Sequence, residues 1–160
     1  GLNWLEERLN RWQKDSPKVL CHRDFRTGNY LVEAGRLSAV LDWEFAGWSD
    51  PEEDIGWLCA HCWRFGNGEQ PVGGIAGFDA FRSAYEDESG RKIDRRAVAY
   101  WQVVAEIRWA IIALQQQQRM LRAGEVSLEL ALSGFLAPEM ERNMLNLITL
   151  IESGQEIGPL

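Results

Sequence analysis

Positive charge is scarce in this 160-residue chain: Lys and Arg together number 17 against 24 Asp and Glu, for a formal net charge of −7. Nucleic acid is therefore not an expected partner, because affinity for a phosphate backbone needs clustered cations. Cysteine is sparse too. Cys21, Cys59 and Cys62 are odd in number and make no disulfide framework, which points to a reducing compartment and a cytoplasmic location. The chain does not open on a basic start followed by an apolar run, so no signal peptide is expected. Its most apolar stretch, 97–114, is interrupted by Gln102, Glu106 and Arg108, and no membrane partner or span is expected. What remains is the make-up of a globular domain, 46% hydrophobic and 26% charged, long enough to bury a core. One domain over 1–153 is expected, with a loose tail at 154–160.

Apolar spacing sets the expected elements. Leu2, Leu5, Leu9 and Trp12 recur at helical intervals and predict an amphipathic helix over 2–14, ended by Ser16-Pro17. Residues 19–21 read as a short buried strand, followed by a polar loop over 22–29. Tyr30-Leu31-Val32 and 37–41 flank Ala34-Gly35-Arg36, which predicts a hairpin with a tight turn. The pattern breaks at Gly47 and at Asp50-Pro51, where a helix is expected to begin with Ile55, Leu58, Cys59 and Cys62 on one face. A glycine-rich loop over 67–77 precedes a helix over 78–88 with Phe78, Phe81 and Tyr85 inward. Asp94 caps a long helix stopped by Gly124, residues 128–136 read as a short helix or turn, and Pro138 starts a last helix.

The chemistry concentrates in Cys21-His22-Arg23-Asp24-Phe25-Arg26-Thr27-Gly28-Asn29. Asp24 and Asn29 lie five apart on a loop between apolar strands, and Asp42 follows at the end of the next strand pair in Leu41-Asp42-Trp43-Glu44. Two carboxylates and a carboxamide at one rim of a hairpin offer hard oxygen ligands that suit magnesium, with phosphates and water completing the shell. A carboxylate left free of metal could take a proton from an attacking hydroxyl.

The form His22-Arg23-Asp24-x-x-x-x-Asn29 is that of a kinase catalytic loop. Together with Leu41-Asp42-Trp43-Glu44 and Ser49-Asp50-Pro51-Glu52-Glu53-Asp54, it resembles the aminoglycoside phosphotransferase and choline kinase family. The resemblance covers about a quarter of the chain, residues 19–57. It implies a mainly helical, protein-kinase-like C-terminal lobe with a small β-hairpin (α+β), laid out as catalytic loop 22–29, metal-site hairpin 30–44 and helical remainder 51–153. It implies ATP-dependent phosphoryl transfer to a hydroxyl of a small molecule. Asp24 matches the catalytic base, Asn29 and Asp42 the magnesium and nucleotide-phosphate ligands, and His22 and Asp54 the residues that brace the loop. Arg23 stands where the family often has glycine. Glu44 stands where protein kinases have glycine, so an extra acid could approach the metal.

The nucleotide-gripping half of such an enzyme is not in these residues. Only Lys14, Lys18 and Lys92 are present, none in a strand ahead of the loop, and there is no Gly-rich phosphate loop. The expectation is an N-lobe absent from the chain, little activity for these 160 residues alone, and self-association through the surface the N-lobe would cover. The acidic balance points weakly to a cationic acceptor. Two rival classes stay open: a pseudokinase-like binding module, and a metal-dependent hydrolase using the same acids without ATP.

Blander readings compete at single residues. A lone Asp24 would be a turn residue, and His22 is more often a satisfied core histidine than a base. Asp54 divides evenly between starting its own helix and bracing the loop. Cys59, His61 and Cys62, with Cys21 and His22, raise zinc only weakly, because buried cysteines usually pack as small apolar groups. Glu106 and Arg108 sit in an apolar helix and read slightly better as structural ion pairs with other elements than as pocket residues. Trp43, Trp48 and Trp57 cluster near the motif and could face a ligand, while core packing is the better expectation for most of the eight tryptophans.

Overall fold

The computed structural model describes residues 1–12, 18–123 and 128–154, with side chains omitted at 9–12, 120–123 and 128–134. The order is α1 (Leu2–Trp12), β1 (Val19–Cys21), β2 (Tyr30–Glu33), β3 (Arg36–Val40), β4 (Gly47–Ser49), α2 (Glu52–Leu58), α3 (Phe78–Ser89), α4 (Arg95–Ala123) and α5 (Leu128–Glu152). The described residues are mostly helical, with two small antiparallel sheets: β1 on β4 and β2 on β3. The turn between β2 and β3 places both central residues in the left-handed region, Ala34 at φ 49° and Gly35 at φ 74°, the backbone a two-residue hairpin favours.

β4 was not legible as a strand. Its three residues close onto β1 in the register Val19↔Ser49, Leu20↔Trp48 and Cys21↔Gly47. That pairing brings the start of α2 against the 22–29 loop, and a Lys18–Asp50 ion pair at 2.8 Å secures it.

The core has two centres. Ile55, Leu58, Cys59, Val72, Phe78 and Val98 form one, with Phe25, Phe81 and Tyr85 packed on it. Trp57, Ala60, Trp63 and Ala105 form the other, flanked by Cys62 and Trp109. The expected single face carrying Cys59 and Cys62 is therefore corrected. α2 stops at Leu58, Ala60 is extended at ψ 144°, and the short 3-10 turn His61–Arg64 swings Cys62 toward the tryptophans. Burial pushes the Cys59 thiol up to about 12, which keeps it protonated and inert.

α2 meets α4 at Gly56, where a Cβ would lie 2.5 Å from the Trp101 Cβ and 2.8 Å from its carbonyl carbon. Only glycine permits that approach. Asp94 caps α4 by accepting the Arg96 N–H at 2.9 Å. By length and composition, Arg95–Arg119 reaches the range of a membrane-spanning helix, and it contains the 97–114 stretch whose polar residues argue against a span. Half of that window is packed inside this fold, against α2 and α5.

Pro138 does not start a new helix. α5 runs continuously from Leu128 to Glu152 with Pro138 inside it. An interior proline costs ~3 kcal/mol, and the packing of α5 along α4, with Met140 and Met144 buried, offsets that cost. The expected helix end at Ser16-Pro17 and stop at Gly124 lie outside the described residues, as does the tail from 155 onward.

Candidate active site

The 22–29 loop leaves β1 through a backbone that few residues tolerate. Arg23 sits at φ 65°, in the left-handed region, which costs a side chain with a Cβ roughly 1–2 kcal/mol. This is the conformational reason a glycine suits the position. Two sets of contacts hold Arg23 there. Its backbone N–H and that of His22 both donate to the Asp54 carboxylate, at 2.6 and 2.7 Å. Its guanidinium reaches the Trp48 carbonyl at 3.1 Å and Glu53 at 3.4 Å. Of the two readings open for Asp54, these bonds are those of a loop brace, made from the first turn of α2.

His22 is buried and satisfied on both ring nitrogens. Nδ1 accepts the Asp24 N–H at 3.2 Å, which leaves Nε2 as the protonated nitrogen, donating to the Leu41 carbonyl at 2.6 Å. One imidazole thus ties the 22–29 loop to the residue preceding Asp42. The Leu41 N–H returns to the Asn29 carbonyl at 2.8 Å. Asn29 and Asp42 therefore stand at the same open end of the β2–β3 hairpin.

Asp24 is the most constrained carboxylate of the set. Oδ2 accepts the Asn29 side-chain amide at 2.7 Å and Oδ1 accepts the Trp57 indole N–H at 2.9 Å, with the Arg26 guanidinium 3.6 Å from Oδ1. The Asn29 amide also donates to the Asp24 carbonyl at 2.9 Å. Both amide protons of Asn29 are thus engaged, and its Oδ1 is left as the free end. Asp42 is exposed, at φ 59°, before the 3-10 turn Trp43–Phe45, and its side chain makes no capping bond. Glu44 in that turn is exposed and bonds to no described residue.

A free carboxamide oxygen and an uncommitted carboxylate at one hairpin end fit a hard cation that keeps water and phosphate in its shell. Among the described residues no three His, Cys, Asp or Glu converge as a fuller cage.

Beside Asp24 a cavity of about 650 Å³ opens between α1, α2 and α4. Trp57, Trp63 and Trp109 form its aromatic wall, and Ile107, Ile111 and Ile112 of α4 its aliphatic wall. Arg26 lies over Trp63 at 4.9 Å and Arg108 over Trp57 at 4.7 Å. Arg108 also donates to the Arg23 carbonyl at 2.8 Å, so α4 holds the same loop residue that Asp54 of α2 holds.

The expected structural ion pairs of Glu106 and Arg108 are corrected. Neither forms one among the described residues. Arg108 lines the cavity, while Glu106 accepts the His61 N–H at 2.9 Å and leaves its second oxygen buried without a partner among the described residues. Burial raises the Glu106 carboxyl to about 7, partly offset by that hydrogen bond and by Arg64. Trp43 and Trp48 are likewise not core residues: they are 49% and 72% exposed. Sequence reasoning did not single out Arg26, Trp63 or Trp109. No local motif marks them, since cavity walls are assembled from separate elements.

Comparison with known proteins bears on this arrangement. The model of a family described as phosphotransferase enzymes matches residues 2–101. A hygromycin-B 4-O-kinase from Escherichia coli is 37% identical over 51 residues, covering 31% of this chain and 15% of that enzyme. A Ralstonia eutropha JMP134 crystal structure, described provisionally as an aminoglycoside phosphotransferase, aligns with a TM-score of 0.67 at 20% identity. That alignment covers 98% of this chain and 51% of the other, so the present chain spans about half the length of its structural neighbour.

Proposed function

Because the chain belongs to the phosphotransferase enzyme family, we propose that it carries the acceptor-binding and magnesium-holding side of an ATP-dependent small-molecule kinase. In this reading the chain is a kinase-like C-terminal lobe. The observation that carries the reading is Asp24: a carboxylate locked by Asn29 and Trp57 at the edge of a large cavity.

In this reading an acceptor hydroxyl enters the cavity and hydrogen-bonds to Asp24, which orients it and takes its proton as the bond to phosphorus forms. Asn29 Oδ1 and Asp42 hold magnesium, which when bound neutralises charge on the nucleotide phosphates. His22 and Asp54 do not touch reactants. They fix where Asp24 and Asp42 stand, and the rate gain comes mainly from that positioning. These 160 residues add no Gly-rich phosphate loop and no strand lysine ahead of Asp24 to the grip on those phosphates. The enzyme similar over 51 residues phosphorylates hygromycin B by its name, which makes that compound one acceptor to try.

Calorimetric titration with magnesium and ATP, paired with a phosphate-transfer assay over hygromycin B and a panel of neutral and acidic alcohols, tests the proposal. The expected result for the 160-residue chain is weak nucleotide binding that needs magnesium and is lost in Asp42→Ala, with turnover near background. Nucleotide binding indifferent to both magnesium and Asp42 would sink it. Robust turnover by this chain alone would show that the phosphate grip is contained within it.

A further inference from the structure

The cavity beside Asp24 has a chemical character of its own. Its charged lining is two cations, Arg26 and Arg108, against the single carboxylate of Asp24. That carboxylate already accepts from Asn29 and Trp57. The indole N–H groups of Trp63 and Trp109, which also line the cavity, are buried and find no acceptor among the described residues. Trp63 itself is only 7% exposed. The charge on the wall is therefore net positive, and beyond Asp24 its one side-chain acceptor among the described residues is the Gln115 amide. Apart from Gln115 the remainder of the lining is aromatic and aliphatic, and at about 650 Å³ the cavity has room for a ring-sized body.

We propose that this cavity selects a hydroxyl-bearing acceptor with a flat apolar body and an anionic or acceptor-rich group, and disfavours polycationic amino sugars. The apolar body packs on Trp57, Trp63 and the isoleucines of α4. Its anionic group meets the guanidinium groups of Arg26 and Arg108, and its hydroxyl faces Asp24. A polycation entering the same space brings ammonium groups against two guanidinium groups with no uncommitted carboxylate on the described wall to receive them. The chain's acidic balance, which points toward a cationic acceptor, is a property of the whole surface and not of this wall. The inference rests on the proposed role of Asp24, which gives the cavity its reacting end.

Three matched benzyl alcohols test it, each carrying a para substituent: 4-(hydroxymethyl)benzoate, 1,4-benzenedimethanol and 4-(aminomethyl)benzyl alcohol. Binding to the 160-residue chain is read by quenching of the tryptophan fluorescence of the wall, with inorganic phosphate as a competitor. The benzoate should bind about tenfold more tightly than the amine, the scale of a few-ångström charge contact in a partly solvated site, with the diol between them. In Arg26→Gln the ratio should shrink severalfold while diol binding holds. Tighter binding of the amine, or an order unchanged in Arg26→Gln, overturns the proposal. So does absence of quenching by all three at millimolar concentration. Displacement of the benzoate by equimolar inorganic phosphate also overturns it, because the two arginines would then be serving a phosphate. None of these readouts involves phosphoryl transfer. The charge order can therefore fail while the kinase reading stands, and magnesium-dependent nucleotide binding in Asp42→Ala reports on the kinase reading alone.

Discussion

The indole N–H of Trp57 donates to Asp24 Oδ1 at 2.9 Å, so a residue of the α2 core orients the carboxylate of a loop 33 positions earlier. Trp57 is 5% exposed and stacks under Arg108, which in turn holds the Arg23 carbonyl. One side chain thus serves the core, the cavity wall and the loop. Trp57→Phe keeps most of the packing and removes the hydrogen bond. A bond to a charged acceptor is worth ~1.5–3 kcal/mol, so chemical denaturation should show a loss in that range. An unchanged unfolding midpoint would mean that solvent replaces the indole without cost.

Asp54 receives two short backbone bonds from His22 and Arg23, one on each carboxylate oxygen, which links α2 to the loop. Asp54→Ala leaves two donors without their acceptor. The expected destabilisation is ~2–3 kcal/mol, which for a domain of this size lowers Tm by roughly 4–12 °C. Unaltered thermal stability would reduce Asp54 to a helix-start acid.

Arg23 presents opposing effects. Its left-handed backbone favours Gly by roughly 1–2 kcal/mol. The added chain entropy of Gly, about 0.5–1 kcal/mol, and the loss of a half-exposed ion pair to Glu53, ~0–1 kcal/mol, work against it. Arg23→Gly should therefore fall within about 1 kcal/mol of the parent. Arg23→Val retains the strain, adds β-branching and loses the contacts, and it should be clearly destabilised. Equal stabilities for the two variants would show that the backbone conformation carries no strain.

Glu106 should make stability depend on pH. Burial raises its carboxyl from 4.5 to about 7, so between these values the folded state binds more protons than the unfolded one. Stability due to this group is therefore full below about pH 4.5, falls as pH rises, and levels off above about pH 7. The whole change is on the order of 3 kcal/mol. Glu106→Gln keeps an oxygen for the His61 N–H and removes the titration. Unfolding curves at pH 5 and pH 8 should show the variant gaining on the parent at the higher pH. A pH-independent difference would contradict the burial of a titrating carboxyl.

The sequence by itself determined the elements that depend on local periodicity and turn chemistry: the amphipathic α1, the hairpin around Ala34-Gly35, the start of α2 after Asp50-Pro51 and the Asp94-capped start of α4. It also placed Asp24, Asn29, Asp42 and Asp54 in one reading, because loop spacing brings chemistry-bearing residues together within a short stretch of chain. Tertiary structure alone decided the rest. β4 is three residues long and exists only as the partner of β1. Pro138 lies inside a helix because the packing of α5 along α4 outweighs local propensity. Cys59 and Cys62 part company because the backbone of Ala60 is extended between them. The cavity wall of Arg26, Trp63, Arg108 and Trp109 spans 83 positions of sequence. No periodicity couples residues so far apart. Only the docking of α2 and α4 against the loop sets them around Asp24, and with them the charge an acceptor meets.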